Sequence, residues 1–268
     1  MIPPDTYLQF HLVFILPVIA LLLVLTWRRN SAVDGWRGLA GVGLLILVAV
    51  VYTTPWDNLL IEQGVWWYGD GVVWHTIWAA PVGEYLFFIL QPLITLLFLA
   101  LLPIPTDTDL ALSRRSRAVG AVGGIAISCV GLVLLLSGDS WLYFASMLVW
   151  GGPVLAIQWG FGWTHLWRAR RTVALAIAVP TAYLWVADWS AITLGLWTIS
   201  ETYTIGVAPF GFPFEEAFFF FLTNVFLVQG FVLYLWLVAQ WPTVKDSQWV
   251  VRYTQWLPLQ TTQRPGER

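Results

Sequence analysis

Five acidic residues, Asp57, Glu84, Asp188, Glu215 and Glu216, lie in or at the ends of stretches that are otherwise almost wholly apolar. An ionisable side chain inside a membrane span costs about 3 kcal/mol on insertion scales, so its presence marks a functional site by default. Glu84, Glu215 and Glu216 each follow, within one turn, a proline able to open a helix, Pro81 or Pro213. There a carboxylate can act simply as a cap, accepting from free N–H groups at the positive end of the helix dipole. The other reading is proton transfer, for which a desolvated carboxyl held neutral by burial and by a second nearby carboxyl is suited. Each helical residue turns by about 100°, so Glu215 and Glu216 cannot both point into one pocket, and one of them is expected to support the other. The run Phe218 to Phe221 covers every side of the next turn. Part of it must face lipid, and the rest, Phe219 among it, can line a pocket whose ring faces stabilise a cation.

Other chemistries find little support. His11, His75 and His165 are scattered, with no pair at helical ligand spacing, and no metal site is expected. The single Cys129 permits no intramolecular disulfide and argues against redox chemistry. Gly120, Gly123 and Gly124 do not form G-x-G-x-x-G and follow no strand, so no nucleotide cofactor is expected. Gly120 and Gly124 instead make a GxxxG pair suited to close helix packing, and Gln91 and Asn224 suit hydrogen bonds between helices. A net charge of −2 argues against nucleic-acid binding.

The elements that hold these residues are membrane helices. Of 268 residues, 59% are hydrophobic and 10% charged, which a soluble fold of this size could not cover. Seven stretches match the length of about 20 residues that crosses a hydrocarbon core. They run near Tyr7 to Trp27, Gly38 to Trp56, Trp78 to Pro103, Ala118 to Ser137, Trp141 to Trp163, Thr172 to Asp188 and Pro213 to Trp241. The first lacks a basic leader and a small-residue cleavage site and is read as a retained span. All 13 Lys and Arg fall in alternate connections or after the last span: Arg28, Arg29 and Arg37; Arg114, Arg115 and Arg117; Arg168, Arg170 and Arg171; Lys245, Arg252, Arg264 and Arg268. The positive-inside rule then places the N-terminus outside and the C-terminus inside. Trp27, Trp36, Trp56, Trp78, Trp141 and Trp241 fall near span ends, as an interfacial belt requires.

Two segments resemble each other. Asp57 pairs with Asp188, Gly64 with Gly195 and Trp66 with Trp197, each 131 residues apart; Pro81 pairs with Pro213 and Glu84 with Glu216, each 132 apart. In both, the aspartate ends an outward span and the glutamate begins the next inward one, so the copies are parallel. Three helices alone would invert the second copy, and the fourth span restores its direction. The expected plan is an all-α membrane fold with a first repeat over 1–110, a linker helix over 111–140, a second repeat over 141–241 and a cytoplasmic tail over 242–268. A site is expected where the halves meet.

PWDN at Pro55 to Asn58, PVGEYLFF at Pro81 to Phe88 and PFEEAFFFFLTN at Pro213 to Asn224 resemble the membrane-type lycopene cyclases of archaea and bacteria. These are also called the heterodimer type, and they are similar to the cyclase domains of fungal fusions. The resemblance covers most of the chain and implies the fused form. In that family the proline motif usually carries two adjacent acids in each half, and Gly83 stands where the first copy would have its first acid. The resemblance implies conversion of lycopene to β-carotene in the cell membrane, with Glu216, Glu84, Glu215, Asp57 and Asp188 as the catalytic set. Trp56, Asn58, Trp66, Trp197, Phe219 and Asn224 are then expected against the substrate. A terminal alkene is protonated, the tertiary cation is attacked by a nearby double bond, and a ring proton is lost. No electrons change hands, no cofactor is implied, and the partners are the carotenoid and the bilayer, with self-association compatible.

Three other readings fit the sequence less well. A proton-coupled transporter also uses parallel 3+1+3 repeats, but the acids sit at helix starts rather than at a broken midpoint. A retinal protein needs a lysine within a span, and the single Lys245 follows the last one. A structural partner subunit would leave the acids unexplained.

Overall fold

A computed structural model describes residues 4–29, 35–106 and 113–245. The tail expected over 242–268, with Arg252, Arg264 and Arg268, lies outside the described residues from 246 onward. Among the described residues seven helices are long and apolar enough to cross a membrane. They are α1 (Tyr7–Trp27), α2 (Trp36–Glu62), α3 (Val82–Ala100), α4 (Arg114–Leu135), α5 (Leu142–Arg168), α6 (Arg170–Thr193) and α7 (Phe214–Lys245).

Several ends differ from the sequence expectation, each for a local reason. α2 passes Asp57 and runs to Glu62, and α6 passes Asp188 and runs to Thr193. Both aspartates face the protein interior, 3% and 4% exposed, so neither needs the aqueous boundary that a terminal acid implies. α3 begins at Val82 with Pro81 as its N-cap, not at Trp78. The Asn58 amide oxygen accepts from the N–H groups of Ala79 and Ala80, 2.9 and 2.8 Å, and holds that segment as a loop. α4 starts earlier than expected, at Arg114, because the Ser113 hydroxyl caps the Ser116 N–H.

α1 contains a π-helical turn at His11–Ile15. Pro17 supplies no N–H to the helix, and the widened turn ends two residues before it. The Phe14 carbonyl there accepts a hydrogen bond from the Tyr183 hydroxyl of α6, 2.5 Å.

α3 and α7 are the central helices. α3 packs on α1, α2, α6 and α7, and α7 packs on α2, α5 and α6. They are joined inside the protein by a polar knot: Gln91 Nε2 and Thr95 Oγ1 donate to Asn224 Oδ1, 2.8 and 2.5 Å, and Asn224 Nδ2 donates to Thr181 Oγ1, 2.8 Å. α4 lies outside and packs closely on α5. A Cβ at Gly120 would meet the backbone of Trp159, and one at Gly124 the backbone of Ala156, so the GxxxG face does seat one backbone on another.

On the face opposite the arginines, α2 and α6 end alike. Gly64 and Gly195 take φ of +74° and +73°, the left-handed turn that glycine adopts beyond a helix end. Each releases a short strand, β1 (Trp66–Tyr68) and, later in the chain, a strand at Trp197–Ile199. Two short strands follow β1, β2 (Thr76–Ile77) and β3 (Ala80–Pro81), which pair with each other; the strand at Trp197–Ile199 is β4. β1 and β4 pair antiparallel, with Trp66 opposite Ile199 and Tyr68 opposite Trp197.

Candidate active site

The β1 and β4 ribbon covers a cavity bounded by the first turns of α1, α3, α5 and α7 and by the inner faces of α2 and α6. Among the described residues its lining holds four acids, Asp57, Glu84, Asp188 and Glu216, together with aromatic side chains and no basic residue. The free volume is about 50 Å³, enough for a few waters.

Glu216 is 6% exposed and accepts from the Tyr143 hydroxyl of α5, 2.8 Å. Asp188 of α6 lies beside it on the cavity lining, its Oδ2 without a hydrogen-bond partner among the described residues. Two buried carboxyls on the lining of one cavity are suited to share a proton. Asp188 is held in place by the Trp197 indole N–H, which donates to Oδ1 at 3.0 Å.

Glu84 is held differently. The Tyr68 hydroxyl donates to its Oε1 at 2.6 Å, and Tyr7 of α1 lines the same cavity with its hydroxyl available to the same carboxyl. Two phenol donors suit a carboxylate that accepts a proton. Burial, then the neighbouring Glu84, pushes the Tyr68 phenol well above its ordinary value, so Tyr68 stays a donor. The Trp66 indole donates to the Tyr68 oxygen, 3.1 Å, and completes the chain from β1 to Glu84. Asp57 sits between the two clusters with Oδ2 lacking a protein partner.

The walls are ring faces. Trp56 stacks on Trp150 at 4.7 Å and lies parallel to Phe219 at 5.9 Å, 6° between planes. Trp66 and Tyr143 close the same side, 5.5 Å apart. Tyr7 and Phe10 pack on Trp197, each 5.0 Å away. A desolvated cation against such faces gains about 2 kcal/mol per ring.

The cavity brings together Asp57, Glu84, Asp188 and Glu216 with Trp56, Trp66, Trp197 and Phe219. It does not include Glu215, Asn58 or Asn224. Glu215 is fully buried on another side of α7, where Oε1 accepts the Ile205 N–H at 2.7 Å and clamps the preceding loop. Asn58 clamps the loop before α3, and Asn224 belongs to the knot between α3, α6 and α7. Trp56 is an inner wall rather than part of the interfacial belt, unlike the exposed Trp27, Trp36, Trp78 and Trp241.

Sequence reasoning missed Tyr7, Tyr68 and Tyr143. A signal was present, since Tyr7 and Tyr143 each open the span that starts a proposed half. Gly83 also gains a reason. A Cβ there would run into the Tyr7 ring, and its carbonyl accepts from His11 Nε2 at 2.9 Å, so the place of an acid is taken by the residues that hold Glu84.

Comparison with known proteins bears on what this cavity serves. The lycopene beta-cyclase of Halobacterium salinarum is 45% identical over 237 residues, covering 88% of this chain and 98% of that protein. The bifunctional lycopene cyclase/phytoene synthase of Gibberella fujikuroi is 34% identical over 232 residues, 84% of this chain and 39% of that protein. The fungal protein of the same description from Aspergillus oryzae is 31% identical over 235 residues, again 84% and 39%. The chain belongs to the lycopene cyclase family. It is an enzyme, and nothing in the comparisons favours the transporter alternative. No family model and no solved structure matches the chain. A lycopene cyclase needs a proton donor, a proton acceptor and a dry aromatic enclosure, and the cavity supplies side chains of each kind.

Proposed function

We propose that this chain cyclises the ψ-end groups of lycopene to give β-carotene by acid catalysis with no change of redox state. The observation that carries the reading is the neighbouring buried carboxyls of Glu216 and Asp188 and a phenol-braced Glu84 on the lining of one aromatic enclosure. Glu216 gives its proton to the terminal alkene, and the positive charge forms on the neighbouring tertiary carbon. The next double bond attacks that carbon and closes the six-membered ring, moving the charge onto the ring. Trp56, Trp66 and Phe219 stabilise the charge without bonding to it. Glu84 takes the ring proton, which restores a neutral product. One proton has left Glu216 and one has reached Glu84. Asp57, facing both clusters, is positioned to return it.

The same reading takes the chain as two parallel three-helix halves, over 1–110 and 141–241, joined by the linker helix over 111–140. Three likenesses support it. The Tyr7 N–H donates to the Val72 carbonyl at 3.1 Å as the Tyr143 N–H donates to Tyr203 at 3.2 Å. The glycine turns at 64 and 195 match, and each half contributes one strand to the ribbon over the cavity. Orientation is inferred from the arginines: the acids, and the ribbon above them, belong to the external face of the cell membrane. Expression in a lycopene-accumulating host with chromatography of the pigments tests the function. Ringed carotenoid is expected, and unchanged lycopene from well-inserted protein would overturn the proposal.

A further inference from the structure

The acid cavity has room for no more than part of one end group, while the substrate of the proposed reaction is a C40 chain dissolved in the bilayer. A second cavity starts where the first stops, since Phe87 and Phe219 line both. It runs between α2 and α5, from Thr53 and Trp150 past Ala49 and Val154 to Leu45 and Gln158. At 1.5 Å per residue this is about 12 Å along each helix. Ala49 lies midway along α2, so the cleft reaches the level of the bilayer centre.

Most polar groups of the cleft have partners within the protein, while among the described residues Gln158 Oε1 lacks one. Gln91 is engaged with Asn224, the Gln158 amide donates to the Phe226 carbonyl at 2.8 Å, and Thr223 donates back to Phe219 of its own helix at 3.0 Å. What remains toward the cleft is mostly hydrocarbon and ring faces, with the Gln158 amide oxygen and Thr53 as polar points along it. Its lipid side is closed by a reciprocal pair: the Tyr52 hydroxyl donates to the Trp150 carbonyl at 2.7 Å, and the Trp150 indole donates to the Tyr52 carbonyl at 3.4 Å. The two rings stack at 5.7 Å, and Tyr52 is 37% exposed on the lipid face. From Trp150 the stack continues through Trp56 to Phe219, an unbroken aromatic wall from the cleft to the acids.

We propose that this cleft is the lateral portal and the seat of the polyene shaft, a role that rests on the cyclase reaction assigned to the acid cavity. A linear conjugated hydrocarbon enters from the bilayer between α2 and α5 as the Tyr52 and Trp150 pair opens, and it lies along Ala49 and Val154. Its end group passes Phe87 and Phe219 to reach Glu216. No aqueous path is needed, and the chain beyond the end group stays in surroundings like those it left. The occupant is set by continuity: the Tyr52 and Trp150 pair stands between the cleft and lipid, and across Phe87 and Phe219 the cleft meets the cavity that holds Glu216 and Asp188.

The test fills the cleft from each wall. Ala49→Trp on α2 and Val154→Trp on α5 are compared with Ala178→Trp, which lies on the lipid side of α6 in a separate groove. Turnover of lycopene is measured in proteoliposomes. Binding is read separately as the shift in polyene absorption when lycopene is added to the same variants in a Glu216→Gln background. Each cleft variant is expected to lose turnover by at least about tenfold and to lose the bound spectrum, with Ala178→Trp unchanged within about twofold. Where a Trp variant does not insert, Ala49→Leu replaces it, with an expected loss of about threefold or more. Cleft variants that turn over or bind lycopene like the parent would overturn the portal. The failures of the portal and of the reaction are distinguishable. Ring formation that persists in Ala49→Trp sinks the portal alone, whereas a parent chain that binds lycopene through the cleft without making rings sinks the proposed function alone.

Discussion

Replacing Glu216 by Gln isolates the transferable proton. Gln keeps the length of the side chain, still accepts from the Tyr143 hydroxyl 2.8 Å away through its amide oxygen, and turns an N–H toward the neighbouring acids. The fold should therefore lose less than about 1 kcal/mol, as for substitutions that leave packing and hydrogen bonding intact. Chemistry should lose far more. A positioned general acid contributes about 10² to 10⁴ in rate, so the variant should fall by at least about 10², or about 2.7 kcal/mol of barrier. Tyr143→Phe is the companion control. It removes one hydrogen bond to the same carboxyl but no proton, which at about 1 kcal/mol predicts a loss of about fivefold. The assay is the initial rate of ringed product from lycopene in proteoliposomes, normalised to folded protein by thermal melting. A folded Glu216→Gln within about tenfold of the parent would remove Glu216 as the acid and turn attention to Asp57 and Asp188.

The remaining expectations rest on the same contacts. Glu84→Gln should be as harmful to turnover as Glu216→Gln, whereas Glu215→Gln should lower the melting midpoint through its clamp on Ile205 and leave turnover per folded molecule within about fivefold. The reverse order of the two effects would exchange their roles. Gly83→Ala drives a methyl group into the Tyr7 ring, and overpacking of this kind costs about 1–3 kcal/mol; an unchanged melting midpoint would contradict the seat given to Tyr7. With Cys129 replaced by Ser, a cysteine at Asp70 should react with an impermeant reagent in intact cells and one at Arg115 should not, and labelling at position 115 would reverse the orientation.

The helices and four of the five acids are legible in the sequence because each signal is local. A span is a run of apolar residues, and an acid within it needs no partner to be noticed. Glu215 shows the limit of that signal. Its type and its proline are those of Glu216, and only the turn of about 100° between neighbours sends it to the Ile205 backbone instead of the cavity. Asp57 and Asp188 read as helix ends because an acid usually marks the water boundary, whereas here both lie buried inside the fold. Asn58 and Asn224 have the motif positions of binding residues, yet their partners, Ala80 and Gln91, are fixed by tertiary approach that no spacing records. The tyrosines are hidden for a related reason. Tyr7 lies 77 residues before Glu84 in the chain, and a phenol at a span end has an interfacial explanation until the fold brings it to a carboxyl.

If the protein's own carboxyls protonate the end group and nothing else is consumed, the proton added to each end must come from groups in exchange with water. Purified protein, in lipid and pre-equilibrated in D₂O, is incubated with lycopene and no added flavin or nicotinamide, and the product is read by mass spectrometry. Ringed carotenoid carrying one non-exchangeable deuterium for each ring formed is expected. Product free of deuterium, or product that forms only when a redox cofactor is added, would contradict the mechanism.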